Sequence, residues 1–165
     1  MKRVAIVGSG GAGKTTFASE LSRRTGLPVV HLDHLYWKPG WVETSADEWR
    51  VRQGERLSAD QWIVDGNYQD TFDVRFSRAD TIIVLAPSRW RCIARVLRRT
   101  FLNFGRPVQA EGCPERFDLE FLKWVWRFQK DGRPRLDAAI RELEGTSRVI
   151  ELKTSQEVAN FLESL

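Results

Sequence analysis

Nine consecutive residues carry the clearest chemistry in the sequence: Gly8, Ser9, Gly10, Gly11, Ala12, Gly13, Lys14, Thr15 and Thr16. They contain the full spacing GxxxxGK(S/T), follow the short apolar run Val4-Ala5-Ile6-Val7 and lead into a helical pattern. Glycines admit positive φ, so backbone N–H groups can turn inward and form an anion nest. The N-terminus of the next helix adds its partial positive charge. In such a phosphate-binding loop the lysine reaches the β and γ phosphates and the closing hydroxyl holds Mg²⁺, which gives those roles to Lys14 and Thr15. ATP and Mg²⁺ are the expected ligands.

Asp33 and Asp65 each close an apolar run, Val29-Val30-His31-Leu32 and Trp62-Ile63-Val64. A Mg·ATP enzyme needs a carboxylate to position metal-bound water, and often another to orient or deprotonate the acceptor. One of the two is expected to serve Mg²⁺, directly or through water, and the other to touch the acceptor. The residues alone leave that division open, and Asp is also a common turn residue after a strand. Tyr36, Trp37 and Trp41 crowd the loop after Asp33, as an acceptor-pocket wall or as a small satellite core, with Trp41 read as core. His31 and His34 flank Asp33, but strand alternation turns His34 away from the other two and argues against a metal trio.

Between Arg89 and Arg106 there are six arginines and no acid. On the helix expected there, Arg91, Arg95, Arg98 and Arg99 share one side, and Trp90, Ile93, Leu97 and Phe101 the other. Like charges at i, i+4 cost about 0.2–0.5 kcal/mol per pair, so an acid-free arginine face is mildly unfavourable unless an anion binds it. Arg95 and Arg99, nearest the following loop, are the candidates for ATP. Arg127, Arg133 and Arg135 lie beyond that loop and are candidates to close on the triphosphate, where an arginine is worth ~10³–10⁵ in rate.

The elements that must position these groups follow from the periodicity. Strands are expected near 2–7, 29–32, 62–64, 81–86 and 148–152, the fourth being the most apolar and the candidate central strand. Helices are expected from Lys14 to about residue 24, from the capping box at Ser45-Ala46-Asp47-Glu48, near 72–76, from 88 to 103, over 136–143, and after a second capping box at Thr154 to Glu157. Phe117, Phe121, Trp124 and Phe128 mark one apolar face of a further helix, read as packing. Residues 104–117, with Gly105, Pro107, Gly112 and Pro114, read as a mobile loop. Strands alternating with helices mean an α/β fold with a parallel sheet, whose ligands sit beyond the carboxyl ends of the strands.

The 165 residues are expected to form one domain, 1–165. A 42% hydrophobic and 29% charged composition excludes a disordered or fibrous chain. No apolar run approaches the ~20 residues of a membrane span, so no membrane partner is expected. Two cysteines, Cys92 and Cys113, give neither a metal spacing nor a disulfide framework, which fits a cytoplasmic protein. Of 26 basic residues 20 are arginine, the residue of bidentate phosphate and carboxylate recognition. They fall in structured segments and not in a tail, which favours an anionic small molecule over nucleic acid.

Residues 8–16, His31-Leu32-Asp33-His34-Leu35-Tyr36-Trp37-Lys38-Pro39-Gly40-Trp41, Ile63-Val64-Asp65-Gly66-Asn67-Tyr68 and Glu111-Gly112-Cys113-Pro114-Glu115-Arg116 resemble the bacterial DNA topology modulation proteins. Those resemble P-loop kinases of the adenylate and shikimate kinase class, and the likeness spans nearly the whole chain. It implies a three-layer P-loop NTP hydrolase fold: a five-stranded parallel sheet in the order 2-3-1-4-5, flanked by helices, with a lid at about 104–135. Gly13, Lys14, Thr15 and Thr16 match the phosphate-binding loop. Arg95-Val96-Leu97-Arg98-Arg99 resembles the adenylate kinase segment whose first arginine lies along the adenine and whose last touches phosphates. Asp65-Gly66 resembles the start of the Asp-Gly-Phe-Pro-Arg motif, with Asn67-Tyr68 in place of the remainder, so acceptor contacts carry over only to Asp65, Gly66 and Asn67. That motif's arginine is missing, and no arginine follows Asp33 before Arg50. Both departures speak against a nucleoside monophosphate acceptor. Asp33 is similar to the acid that handles the acceptor hydroxyl in shikimate kinases, and Asp65 with Thr15 is then the candidate pair for Mg²⁺. The lid has no zinc-type cysteine set.

The sequence therefore predicts an ATP- and Mg²⁺-dependent phosphotransferase acting on a small molecule. Lys14, Asp33, Arg127 and Arg133 are the catalytic candidates, and Asp33, Tyr36, Trp37, Asp65, Gly66 and Asn67 bind the acceptor. The alternative is a nucleotide-dependent regulator of DNA topology, resting on the arginine-rich helix. Either a monomer or a homodimer is compatible with the sequence.

Overall fold

The computed structural model describes residues 1–143 and 145–165. Five strands form one parallel sheet: β1 (Arg3–Gly8), β2 (Val29–His31), β5 (Trp62–Asp65), β6 (Thr81–Leu85) and β7 (Arg148–Leu152). Their spatial order is β2-β5-β1-β6-β7, which is the expected 2-3-1-4-5 when only these strands are counted. Between them a hairpin, β3 (Trp37–Lys38) and β4 (Val42–Glu43), turns at Pro39-Gly40. The helices are α1 (Lys14–Thr25), α2 (Leu32–Tyr36), α3 (Ala46–Arg56), α4 (Phe72–Phe76), α5 (Arg89–Asn103), α6 (Leu119–Arg141) and α7 (Ser155–Glu163).

β1 is central and fully covered. Val4, Ala5, Ile6 and Val7 are all 0% exposed. Alternation sends Val4 and Ile6 into a core with Phe17, Ala18, Leu21, Val96 and Leu162, and Ala5 and Val7 into a second core with Trp49, Phe72, Phe76 and Leu136. Each such side chain contributes roughly 1.5–3 kcal/mol by leaving water, and the two cores make the three-layer architecture.

Several local expectations change under this packing. The strand at 29–32 stops at His31, because Leu32 is wholly buried against the second core and begins the one-turn helix α2, which carries Asp33. Helix α6 runs unbroken through Pro134, where the sequence suggested a break before 136. An interior proline costs about 3 kcal/mol. Here Val125 and Phe128 before it and Leu136 after it are all buried, so tertiary packing outweighs that cost. On α5 the buried line is Cys92, Val96 and Thr100, which leaves Trp90 and Phe101 68% and 85% exposed. The box at Thr154 closes, its hydroxyl accepting from Glu157 N at 3.1 Å, whereas Ser45 starts α3 without a side-chain cap bond.

The P-loop glycines show what the fold requires. Gly11 has φ +72, and a Cβ there would lie 2.4 Å from the carbonyl oxygen of Cys92 on α5. Gly26, the C-cap of α1, has nearly the same φ, +73, but open space. Gly11→Ala is therefore expected to lower Tm by roughly 5–10 °C, and Gly26→Ala by only a few degrees, about 1 kcal/mol. Thermal melts of the two variants side by side check this.

Candidate functional site

Gly8, Asp33, Asp65 and Leu85 all lie at or just beyond the carboxyl ends of sheet strands, and Asp33, Asp65 and Leu85 border one cleft of about 1080 Å³ with the loop residues from Gly10 onward. The loop from Gly8 to Gly13 is shaped by close backbone approach. A Cβ on Gly8 (φ +144) would meet Leu85 O at 2.3 Å, and one on Gly10 would meet the Phe121 ring at 2.7 Å. Inside the loop the Lys14 ammonium donates to Gly8 O at 3.1 Å and Ser9 O at 2.9 Å. Burial lowers the pKa of this lysine, while Asp33 and Asp65 oppose that effect. Lys14 so lies inside the loop and borders the same cleft as Asp33 and Asp65.

Asp65, 4% exposed, joins three elements. Its Oδ2 accepts from Thr15 Oγ1 at 2.9 Å and its Oδ1 from His31 Nδ1 at 2.6 Å. The carboxylate raises the His31 pKa against the opposing effect of burial. Thr15 and Asp65 thus present two oxygens side by side beside the phosphate nest, a set that suits Mg²⁺, a hard ion that takes few protein oxygens and keeps several waters. Asp33, in the first turn of α2, accepts from the Tyr68 hydroxyl at 2.6 Å. Burial, with Asp33 next, pushes the Tyr68 pKa far above the usual phenol value, so Tyr68 remains a neutral donor that orients Asp33.

The structure sorts the remaining candidates. Arg95 donates to Ala12 O at 3.0 Å and so lies against the P-loop. Arg99 forms an ion pair with the buried Glu115 at 3.0 Å, an approach too poorly aligned to count as a hydrogen bond. Trp37, Gly66 and Asn67 border the cleft. Tyr36 does not; its ring packs among Trp37, Trp49 and Tyr68 at 4.8–5.1 Å. Trp41, read as core, is only half-buried and borders the cleft, as do Phe117, Phe121 and Trp124. Arg127 and Arg133 are not brought to the cleft. Arg127 pairs with Asp131 at 2.8 Å one turn along α6, and Arg133 with Asp137 at 2.7 Å and Glu151 at 2.6 Å. Arg135 does border it. Residues 104–118 are tied down on both sides: Glu115 accepts from Thr100 and Gln109, and Gly40 N donates to Gly112 O at 2.8 Å.

Sequence reasoning missed Arg75. It is 0% exposed, and its guanidinium donates to the carbonyls of Gly66, Asn67, Tyr68 and Thr71 and to the side chains of Gln53 and Thr71. The cation also lies 4.8 Å from the Phe72 ring centroid. None of these partners is a carboxylate, so the charge is held by dipoles behind the loop that carries Asp65 and Tyr68. One signal was available: an arginine inside the apolar helix Phe72-Asp73-Val74-Arg75-Phe76.

The model of the isopentenyl transferase family matches residues 1–43, a stretch that contains the P-loop. No curated protein matches the sequence. Among solved structures, a shikimate kinase from Acinetobacter baumannii in complex with shikimate is similar at 18% identity and TM-score 0.60, covering 99% of this chain and 90% of its own. A gluconokinase from Sinorhizobium meliloti 1021 is similar at 17% identity and TM-score 0.57 (98% and 87% covered). A sugar kinase from Janibacter sp. HTCC2649 is similar at 16% and 0.57 (99% and 91%). At these identities the likeness shows the fold alone, a five-stranded parallel sheet flanked by helices. No helix among the described residues is long and apolar enough to cross a membrane.

Two outcomes follow from this geometry. Arg75→Met leaves several buried carbonyls without a donor and is expected to cost about 3 kcal/mol or more, with Arg75→Lys recovering only part of it. Urea denaturation midpoints measure both. Because the folded-state pKa of His31 is raised, the stability it contributes is complete below about pH 6.5 and is lost as pH rises through the folded value. The Tm difference between the wild type and His31→Gln should therefore be largest near pH 6 and shrink toward pH 8.5, as melts across that range would show.

Proposed function

We propose that this chain is an ATP-dependent phosphotransferase acting on a small-molecule hydroxyl. The observation that carries the reading is the meeting, in one cleft, of a complete P-loop with an Asp33 carboxylate oriented by a neutral tyrosine. Lys14 exchanges two neutral carbonyls for the β and γ phosphate oxygens of ATP, which are stronger acceptors. Arg95, beside Ala12, lies along the nucleotide. Asp33 orients the acceptor hydroxyl and takes its proton. The acceptor oxygen bonds to Pγ while the bond from Pγ to the bridging oxygen breaks, and ADP leaves with that electron pair. Mg²⁺ would be held by Thr15 and Asp65 and would supply neutralisation of phosphate charge.

Three observations support this: the P-loop kinase fold, the isopentenyl transferase match over the loop, and the neighbourhood of shikimate and sugar kinases. The likeness to DNA topology modulation proteins offers a different reading, in which α5 grips DNA. That reading loses support because Arg95 is turned to Ala12 and Arg99 to Glu115.

With an active acceptor, Lys14→Ala is expected to lower kcat by roughly 10²–10³ and Asp33→Asn by roughly 10²–10⁴. Both are measured by coupling ADP formation to a library of candidate acceptors. Full turnover in both variants would remove the assignment.

A further inference from the structure

Trp41 has φ +63 and is the one non-glycine residue with positive φ among the described residues. For a bulky side chain that conformation is a true outlier, and such strain persists only where the surroundings over-determine it. Three contacts do so. The indole Nε1–H donates to Pro114 O at 2.9 Å, the Arg116 guanidinium lies 5.7 Å from the ring, and Trp37 meets it edge to face at 5.3 Å. The backbone strain thus serves to hold an indole at the wall of the cleft. Trp37 and Trp41 are both half-buried and both border the acceptor side, with His34 and Asp33 nearby in sequence.

A second, independent feature borders the same cleft. Asn67 is 7% exposed and borders the cleft, and its Oδ1 is buried with no hydrogen-bond partner. A buried unpaired acceptor costs stability, and a ligand N–H or O–H removes that cost. The local charge disfavours one ligand class. Asp33, Asp70 and Asp118 border the cleft together with Arg116 and Arg135, and Arg116 is already shared between Asp118 and the Trp41 ring. A phosphate dianion would meet too few free cations there.

Resting on the phosphotransferase reading, we propose that the acceptor is an alcohol bearing a flat aromatic or heteroaromatic ring and no phosphate, as in a free nucleoside. The ring lies on the Trp37–Trp41 corner, a ring or substituent N–H or O–H is donated to Asn67 Oδ1, and the hydroxyl is at Asp33.

The test measures ADP formation with four acceptor classes: nucleosides, simple aromatic alcohols, ring-free sugars and hydroxy acids, and nucleoside monophosphates. Wild type is compared with Trp37→Leu and Trp37→Phe, and quenching of tryptophan fluorescence by nucleosides is recorded without ATP. Turnover of ring-bearing alcohols is expected. Trp37→Leu should raise their KM about tenfold or more while the KM for ATP moves by less than about twofold, and Trp37→Phe should keep most of the affinity. Turnover confined to ring-free polyols, hydroxy acids or monophosphates overturns the acceptor class and leaves the phosphotransferase reading intact. Saturable quenching that Trp37→Leu weakens, with no acceptor-stimulated ADP formation, upholds the ring site and removes the phosphotransferase reading. Absence of both turnover and quenching overturns the inference.

Discussion

The close backbone approach of the P-loop to its neighbours is the constraint on which the site depends. Leu85 O on β6 and Cys92 O on α5 occupy the space where side chains at Gly8 and Gly11 would stand, and Phe121 and Val125 on α6 do the same for Gly10. Three elements distant in sequence therefore converge on one short loop. Because α5 sits so near, Arg95 reaches Ala12 O, and because α6 does, Phe121 and Trp124 border the same cleft. The glycines leave room for β6, α5 and α6, and in the proposed function they also open N–H groups inward to a phosphate.

The side of the cleft that carries Asp33 and Asp65 is built on a different principle: polar groups held from behind. Asp65 is shared by Thr15 and His31, Asp33 is oriented by Tyr68, and the turn that carries Asp65 to Tyr68 is fastened by Arg75 from the interior. A buried cation held by carbonyls, an amide and a hydroxyl spends most of its attraction on backbone position, so it fixes a loop where a salt bridge would fix a side chain. The two sides of the cleft are also joined. Glu115 ties residues 104–118 to Arg99 and Thr100 of α5, and Gly112, Cys113 and Pro114 meet Gly40, Lys38 and Trp41 of the hairpin. That loop thus links Arg99 on α5 to Trp41 on the hairpin.

The P-loop and the architecture could be read from the residues alone. Glycine spacing, a lysine and a threonine have one compact use after a strand, and alternating apolar runs have one common packing, so the P-loop, the five strands and their carboxyl-end cleft were legible. The rest depends on contacts between segments far apart in the chain. Arg127 and Arg133 had the right residue type, but Asp131, Asp137 and Glu151 engage them away from the cleft. Leu32 had to be buried before Asp33 could leave the strand for a helix, and Val125 and Leu136 had to be buried before α6 could pass Pro134. Arg75 gave almost no pattern, since its six partners belong to residues 53 and 66–71 and meet only in the fold. Spacing along the chain fixes groups that act within one turn or loop, whereas pairing across it is set by which partner reaches a charge first in three dimensions.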